Sequence, residues 1–471
     1  MEKIVDRFCP KPRNMPSFRM WRIVDFLAFK NKKMTSVVLH FFRFRIMGEM
    51  NPLSEKEKTK EKVYAVIDIK SFYASVECAA RGLDLFTTPL VVADKSRTDN
   101  SIVMSVTPYL KKNYGVSNVC RIKDLPNVEG MIFATPRMAY YIETSARIVS
   151  IFLDFVAEED LHVYSIDESF LQIGPYLKAA KATPEEFCKR ILDRIKNELG
   201  LVATAGIGSN MFLAKTCLDN EAKKKAPYIA YWREEDVPNK LWKVKPITKI
   251  WGIAGGISSH LSRIGIRSVE ALAKVDTEIL KKEFGVMGYQ LHQMANGIDN
   301  ADIELKYTPR ERNLSVGQTL IRDYDKKGAL LVLREMNDEL CLRLRKENHK
   351  CGCVFLFVGY KGAAFTKQMS LNIATDDVYN LFKAVEHLFN QSEIDLPIRQ
   401  LSISFTKLSD SSVRQCSLFE SSEEEEKRQR LTLAIDKAHD MFGANSVLRA
   451  SSLLRDSTIR ERHSQIGGHR A

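Results

Sequence analysis

The sequence has little cysteine, ordinary amounts of glycine and proline, and no apolar run long enough to cross a bilayer. Its 15 prolines and 23 glycines in 471 residues exclude collagen-like and low-complexity chains. Two apolar patches, around Trp21–Phe29 and Val37–Met47, are short, and Arg43 and Arg45 interrupt the second, so no membrane partner is expected. Neither a signal peptide nor the cysteine spacing of secreted proteins is present, which predicts reduced thiols and a cytoplasmic protein.

Cysteine is the usual first indication of a metal site, and here it gives a weak one. Of the nine cysteines only Cys351 and Cys353 are close together, with His349 just before them. They could form a zinc clip, but no second ligand pair follows and the pair runs into an apolar strand-like segment, Val354–Val358. We therefore favour a buried strand with small thiols.

Basic residues outnumber acidic ones, 71 to 59, which gives a net charge of +12 and favours a polyanionic partner. The excess is uneven, because residues 1–49 carry eleven basic and four acidic side chains, leaving only +5 for residues 50–471. We expect residues 1–61 to be a basic extension, disordered or upstream of the natural start, with a basic membrane-surface helix as the alternative. A nucleic-acid partner must therefore be argued from particular sites.

Alternating strand and helix patterns predict an α+β fold in which helices cover one face of a mostly antiparallel sheet. The segments concerned are strands at 63–68, 161–166, 169–173 and 202–207 and helices at 71–80, 140–155, 184–199 and 210–220. A small polar insert occupies 81–133 with strands at 90–93 and 102–106. Residues 240–300 are wholly helical, 312–407 mix helix and strand, and 409–427 have a linker-like composition.

Two acidic clusters stand at the ends of predicted strands. Asp68 ends the first strand, and Asp167 and Glu168 form the tip of a predicted hairpin. A carboxylate buried there is costly unless a cation sits beside it, and Mg²⁺ prefers such oxygen ligands. Two Mg²⁺ ions about 3.5–4 Å apart can activate a 3′-hydroxyl and hold a leaving pyrophosphate. The alternative is a helix cap at Asp68 and an ordinary turn at the tip.

The segments Asp68–Glu77 and Tyr164–Leu171 resemble the signature blocks of the Y-family, or translesion, DNA polymerases, most closely the bacterial UmuC-like branch. The resemblance spans about residues 62–420, with the blocks in family order. It implies template-directed DNA synthesis opposite damaged bases, in the cell's response to DNA damage. It also implies low fidelity, and since no Asp-x-Glu exonuclease strand accompanies the domain, no proofreading.

The resemblance implies a right-hand polymerase with an additional DNA-gripping domain. Its parts would be a palm at 62–80 and 134–235, fingers at 81–133, a thumb at 236–308, a little finger at 312–408, and a tail at 409–471.

The same resemblance implies that Asp68, Asp167 and Glu168 are catalytic and bind two Mg²⁺ ions, with the Ile69 carbonyl as a further ligand. Lys70 departs from the many members that carry a second Asp there, a position that is not an indispensable ligand in this family.

Two aromatic residues after the first acidic strand match the family's sugar pocket. Tyr73 would be the steric gate, a ring placed where the 2′-hydroxyl of a ribonucleotide would go, and Phe72 would help wall the pocket. The alternative for both residues is ordinary helix core packing.

The segment 108–116 resembles the finger motif Tyr-x-x-Arg-x-x-Gly, so Tyr109 and Lys112 would face the triphosphate of a dNTP. Lysine replaces arginine here and cannot bind phosphate bidentately. Lys215 matches the palm lysine that reaches the triphosphate. The run 223–225 is expected to be solvated or near the template backbone.

The segments 247–255 and 261–266 resemble a helix-hairpin-helix, whose backbone N–H groups hold a DNA phosphate without reading sequence. Gly252, Ala254 and Gly255 would form its turn. The family's second glycine is replaced by Ala254, whose Cβ is expected to strain the turn or shift it toward Gly255.

Gln415, Leu418 and Phe419 resemble the peptide by which bacterial polymerases dock on the sliding clamp, the glutamine by hydrogen bonding and the apolar pair by filling a pocket. The implied partners are thus primer–template DNA, dNTPs and the clamp, with the need for accessory subunits left open.

Two other function classes compete with this interpretation. A palm-domain nucleotidyl cyclase would share the paired carboxylates but lack the thumb and clamp peptide. A non-catalytic DNA- or clamp-binding regulator would not need Asp68, Asp167 and Glu168 intact.

Overall fold

The computed structural model describes residues 62–96, 98–117, 120–305, 312–411 and 422–471. These residues form two compact units, one ending at Leu305 and the other starting at Arg312. The predicted basic extension and the predicted clamp peptide both lie outside the described residues. Within the described ranges, no helix combines the length and apolar character that a membrane crossing requires.

The first unit contains strands and helices in alternation. Its strands are β1 (Tyr64–Ile69), β2 (Leu90–Val92), β3 (Ser105–Val106), β4 (Ile132–Ala134), β5 (Leu161–Val163), β6 (Glu168–Gln172), β7 (Ala203–Gly208) and β8 (Ile229–Trp232). Its helices are α1 (Phe72–Ala80), α2 (Pro108–Tyr114), α3 (Met138–Leu153), α4 (Gly174–Ala180), α5 (Pro184–Leu199), α6 (Met211–Asn220), α7 (Gly255–Arg263), α8 (Val269–Lys274), α9 (Thr277–Phe284) and α10 (Val286–Ala295).

The main sheet of this unit has the strand order β5-β6-β1-β7-β8. Strand β1 lies in the middle, antiparallel to both β6 and β7, and its apolar side chains are almost all buried. A strand covered on both sides has no solvated face, which explains its continuous apolar sequence. Within this sheet only β7 and β8 pair in parallel, so the predicted α+β class and mostly antiparallel sheet are confirmed.

Helix α6 crosses β7 at unusually short range. A Cβ atom added to Gly206 would lie 2.4 Å from the Ala214 carbonyl oxygen, and one added to Gly208 would lie 2.4 Å from the Ala214 amide nitrogen. No side chain fits between strand and helix at these points, so glycine is required. At its start, α6 is capped by the Asn210 side chain, which accepts a hydrogen bond from Leu213 N at 2.8 Å.

The insert at 81–133 forms a small sheet of order β3-β2-β4 with its own apolar core. The predicted strand at 102–106 is shorter in the structure, because only Ser105 and Val106 pair with β2 while Ile102 makes an isolated bridge to Arg121. Helix α2 starts at Pro108, a favoured first helical residue.

The helical region after residue 240 shares one apolar core with α6 and β1, through residues such as Phe212, Leu213, Leu261 and Leu272. The first helix of the predicted hairpin is a single 3₁₀ turn, Ile247–Lys249, and α7 is the second.

The second unit is a four-stranded sheet with two helices that share its core. Its elements are β9 (Leu314–Tyr324), α11 (Lys326–Lys346), β10 (His349–Tyr360), β11 (Ala364–Thr375), α12 (Val378–Asn390), β12 (Ile398–Asp410), α13 (Ser422–Phe442), α14 (Ile459–His463), β13 (Gln465–Ile466) and β14 (His469–Arg470). The sheet order is β11-β10-β12-β9. Cys351 and Cys353 lie buried in β10, as the strand interpretation predicts.

The chain after residue 421 is folded. Helix α13 begins at Ser422, so the linker expected up to residue 427 is too long. The Arg345 guanidinium holds the Asp436 carboxylate with two hydrogen bonds of 2.7 and 2.9 Å, and the buried Glu335 accepts from Ser457 and Thr458. Residues 422–471 therefore dock on α11, a tertiary arrangement that a Ser/Glu-rich sequence does not predict.

Candidate active site

The sheet brings the two acidic clusters together. Asp68 in β1 is paired in register with Glu168 in β6, and the Ile69 amide donates to the Asp167 carbonyl at 2.9 Å. Three acidic residues from distant parts of the chain thus lie at one end of the neighbouring strands β1 and β6.

The Asp68 carboxylate is largely buried and is paired with a lysine. Only 15% of its side chain is exposed, and its Oδ2 lies 3.0 Å from Lys223 Nζ. Burial raises the pKa of Asp68 to about 6; the Lys223 charge lowers it in part, and the charges of Asp167 and Glu168 add to the rise. The ammonium group of Lys223 therefore does not fully compensate the negative charge of the acidic cluster.

The run 223–225 was expected to be solvated or near the template backbone; Lys224 and Lys225 are exposed, but Lys223 is not. Its ammonium contacts both Asp68 and Asp219, the latter at 2.9 Å. Lys70, the departure from the family pattern, donates to the Lys223 carbonyl oxygen at 2.9 Å. The side chain of Lys70 thus holds the short turn that carries Lys223.

Glu168 is paired with Lys215 in a buried contact. Lys215 Nζ lies 2.8 Å from Glu168 Oε1 and 3.0 Å from Asp219 Oδ2, and the Lys215 and Glu168 side chains are each 9% exposed. Burial raises the pKa of Glu168 despite the opposing lysines. Asp219, which the sequence analysis did not single out, joins Lys215 to Lys223. Its spacing of four residues from each along the chain was the available signal.

The donor set fits a hard divalent cation. Carboxylate oxygens are what Mg²⁺ prefers, and the raised pKa values of Asp68 and Glu168 indicate a demand for more positive charge. The Asp167 carboxylate has an orienting partner, because it accepts a 2.7 Å hydrogen bond from Ser165 Oγ. Within the described ranges, no three acidic, histidine or cysteine side chains converge as a preformed cation cage.

Phe72 and Tyr73 begin α1 beside these carboxylates. Ser71, just before them, has a left-handed backbone with φ of 51°, which turns the chain sharply after β1. The rings of Phe72 and Tyr73 lie 5.4 Å apart, and the Tyr73 ring lies 5.0 Å from Tyr141. Burial and then the Asp167 charge raise the pKa of Tyr73, so its hydroxyl is within electrostatic reach of the acidic cluster.

On helix α2, the lysine that reaches toward the cluster is Lys111. Its Nζ donates to Ser71 Oγ at 2.8 Å, and burial, with the nearby Lys70 charge, lowers its pKa while Asp68 opposes this shift. Lys112 is exposed, and Tyr109 packs against the apolar core of the 81–133 insert. The family motif predicts a triphosphate contact for Lys112 and none for Lys111, since a Lys-Lys pair does not indicate which side chain turns inward.

The turn before α7 is unstrained at Ala254. The positive φ, 89°, falls on Gly252, whereas Ala254 is extended with φ of −88° and Gly255 begins α7. The expected strain at Ala254 is therefore wrong, because the position that follows the tight turn does not require glycine.

Residues 67–219 match the model of the impB/mucB/samB family, and residues 311–418 match the model of its C-terminal domain. The Bacillus subtilis (strain 168) protein UvrX, named for UV-damage repair, is 36% identical over 410 residues, which cover 86% of this chain and 97% of UvrX. The chain belongs to the Y family of translesion DNA polymerases. This confirms the family predicted from the motifs and, with it, the class of DNA-directed DNA polymerase.

Other relatives of this Y-family chain agree. DNA polymerase IV 2 of Bacillus subtilis (strain 168) is 32% identical over 419 residues, covering 87% of this chain and 99% of the relative. A solved Y-family DNA polymerase chimera of Dbh and Dpo4 superposes with a TM-score of 0.61 at 20% identity, covering 74% of this chain and 99% of the chimera. That likeness concerns the fold, and it supports the predicted multidomain polymerase architecture.

Proposed function

We propose that this Y-family polymerase extends a primer 3′-hydroxyl opposite damaged template bases, at the site formed by Asp68, Asp167 and Glu168. The observation that carries the proposal is the register pairing of Asp68 with Glu168. It places three carboxylates from distant segments at one end of the sheet, where burial raises two of their pKa values. Such clustered, perturbed carboxylates are typical of catalytic sites.

Asp68, Asp167 and Glu168, with the Ile69 carbonyl, would hold two Mg²⁺ ions. The chemistry that two such ions would supply is to lower the pKa of the primer hydroxyl and to stabilise the leaving pyrophosphate. Ser165 orients the Asp167 carboxylate through its 2.7 Å hydrogen bond.

Lysines supply the remaining positive charge for the triphosphate. Lys215 and Lys111 each extend a partly or fully buried side chain toward the acidic cluster. A dNTP bound there brings its own negative oxygens, so these ammonium groups can exchange a carboxylate or hydroxyl partner for a phosphate. Tyr109 and Lys112 remain proposed phosphate contacts on the resemblance alone.

Tyr73 is proposed as the steric gate against ribonucleotides and Phe72 as the wall of the sugar pocket. The fingers form a small separate core, so we propose that they close loosely over the nascent base pair. Low fidelity and tolerance of lesions follow from that, and no proofreading activity is proposed.

DNA and clamp contacts complete the proposal. The backbone N–H groups around Gly252, Ala254 and Gly255 would bind a DNA phosphate without reading sequence. The clamp would be bound by Gln415, Leu418 and Phe419. A peptide with the native sequence around these residues should bind the clamp in a fluorescence titration, and a matched peptide in which all three are alanine should not. If both peptides bind equally, that part of the proposal fails.

Primer extension tests the catalytic proposal directly. We expect the parent chain to extend a primer across a gapped template with Mg²⁺, and Asp167→Ala to be inactive. Asp193→Asn, an exposed carboxylate on α5, is the matched control and should extend normally. Equal extension by Asp167→Ala and the parent would refute the assignment. Extension by the parent also excludes the regulator alternative, while a cyclic nucleotide product without extension would favour the cyclase.

A further inference from the structure

Glu77 is a buried carboxylate that the proposed chemistry does not use. It lies on α1 four residues after Tyr73, and its side chain is 0% exposed. Arg137 donates to it twice, from Nε and Nη2, both at 2.9 Å, and Arg81 adds a further ion pair. Burial alone would raise the pKa of Glu77, but these hydrogen bonds outweigh it and lower the pKa. The group is thus a buried anion compensated by two guanidinium groups.

The third partner of Glu77 is Tyr141, whose hydroxyl donates to Glu77 Oε1 at 2.7 Å. The Tyr141 ring is fully buried and lies between this anion and the sugar pocket, 5.0 Å from the Tyr73 ring and 6.5 Å from the Phe72 ring. Arg137 immediately precedes α3, and Tyr141 follows it by one turn, so the guanidinium and the hydroxyl reach the same carboxylate.

We infer that Glu77 is a positioning residue for sugar selection, because through the Tyr141 hydroxyl it fixes the ring against which Tyr73 packs. The inference rests on the proposed role of Tyr73 as the steric gate. Aromatic packing alone does not require a charged partner, since phenylalanine would fill the space of Tyr141. The hydroxyl contact adds a fixed orientation, and a ring held at the wrong tilt would let Tyr73 move away from the 2′ position. Even a small displacement of a group that positions the substrate changes the reaction rate strongly.

If the role of Glu77 were purely structural, the expected result would differ. Substituting Glu77 would then lower the stability of the first unit and leave the choice between deoxyribonucleotide and ribonucleotide unchanged. The ratio of kcat/KM for dCTP to kcat/KM for rCTP opposite template guanine therefore separates the two roles.

The experiment measures that ratio with the full chain, primer–template DNA and Mg²⁺. Tyr141→Phe and Glu77→Gln should each lower the ratio about tenfold, the size that one hydrogen bond to a charged group can have. The double variant should fall no further than Glu77→Gln alone. Tyr73→Ala is the reference for a lost gate, and Glu143→Gln, an exposed carboxylate on α3, is the control that should leave the ratio unchanged.

The outcomes distinguish the inference from the gate assignment on which it rests. If Tyr73→Ala lowers the ratio but Tyr141→Phe and Glu77→Gln do not, the inference is overturned and the gate stands. If Tyr73→Ala itself leaves the ratio unchanged, the gate assignment fails first. Should Glu77→Gln not fold, Tyr141→Phe decides alone, because it keeps the buried ring and removes only the hydroxyl.

Discussion

The buried pair of Lys215 and Glu168 allows a sharp test of the site's electrostatics. Its atoms are 2.8 Å apart, and each side chain is 9% exposed. Removing one partner of such a pair leaves the other charge buried, which costs about 3–5 kcal/mol. We expect Lys215→Met to lower the free energy of unfolding of the metal-free protein by about 3 kcal/mol. This is the lower end of that range, because the charge of Lys223 still acts on Glu168.

A matched control lies on α5. Lys189 and Asp193 are 2.7 Å apart, but their side chains are 63% and 53% exposed. Solvent screens such a pair, so Lys189→Met should cost at most about 1 kcal/mol. The assay is urea unfolding in EDTA near neutral pH, followed by tryptophan fluorescence. Among the described residues, the tryptophans all lie in the first unit, so the signal reports on that unit.

Acid provides the second half of this test. Burial raises the pKa of Glu168, and without Lys215 the pKa should rise further. A carboxyl group with a raised native pKa contributes most to stability when protonated, and that contribution is lost as pH rises through the native pKa. The cost of Lys215→Met should therefore shrink as pH falls. Equal costs for the two lysine variants, or a difference that persists in acid, would refute the reasoning.

Three further changes have defined outcomes. Gly208→Ala places a Cβ 2.4 Å from the backbone nitrogen of Ala214 and should cost about 2–3 kcal/mol in urea unfolding. In EDTA, the contribution of Asp68 to stability is present below about pH 4 and is lost as pH rises through about 6. The free energy of unfolding of Asp68→Asn should therefore exceed that of the parent by up to about 3 kcal/mol at alkaline pH, measured by unfolding across pH. Arg345→Met removes the bidentate contact with Asp436 and should expose residues 422–471 to limited proteolysis, read by mass spectrometry.

Each of these has its own control. Gly256→Ala, on α7 with open space around the added Cβ, should not destabilise the protein. An Asp68→Asn effect that is the same at acidic and alkaline pH would contradict the assigned burial cost. Lys346→Met, whose pair with Asp440 is more exposed, should leave the protease pattern close to that of the parent.

The sequence predicted the parts of the site that depend on strand ends. The strand that ends in Asp68 and the hairpin closed by the Asp167–Glu168 tip were predicted from local patterns, and both are present. Local patterns do not fix the order of strands far apart in the chain, so the pairing of β1 with β6 that brings the two clusters together was implied only by the family resemblance.

The lysines could not be assigned in the same way. A run such as 223–225 has the composition of a solvated segment, and only the return of the chain after α6 brings Lys223 to Asp68. On α2, the inward turn of Lys111 depends on how the helix docks near Ser71. Both placements depend on tertiary structure, which the composition of these segments does not indicate. The folded segment 422–471 was missed for the same reason.

The glycines of β7 have a wider implication for changing this enzyme. Since main chain touches main chain where α6 crosses the strand, the reach of Lys215 to Glu168 is set by the polypeptide path itself. Exchanging apolar residues of different volume elsewhere in the interior cannot tune that separation gradually, as it can between layers spaced by side chains. Attempts to change the space around the acidic cluster would do better to redesign the 81–133 insert, which has its own apolar core, and leave this crossing untouched.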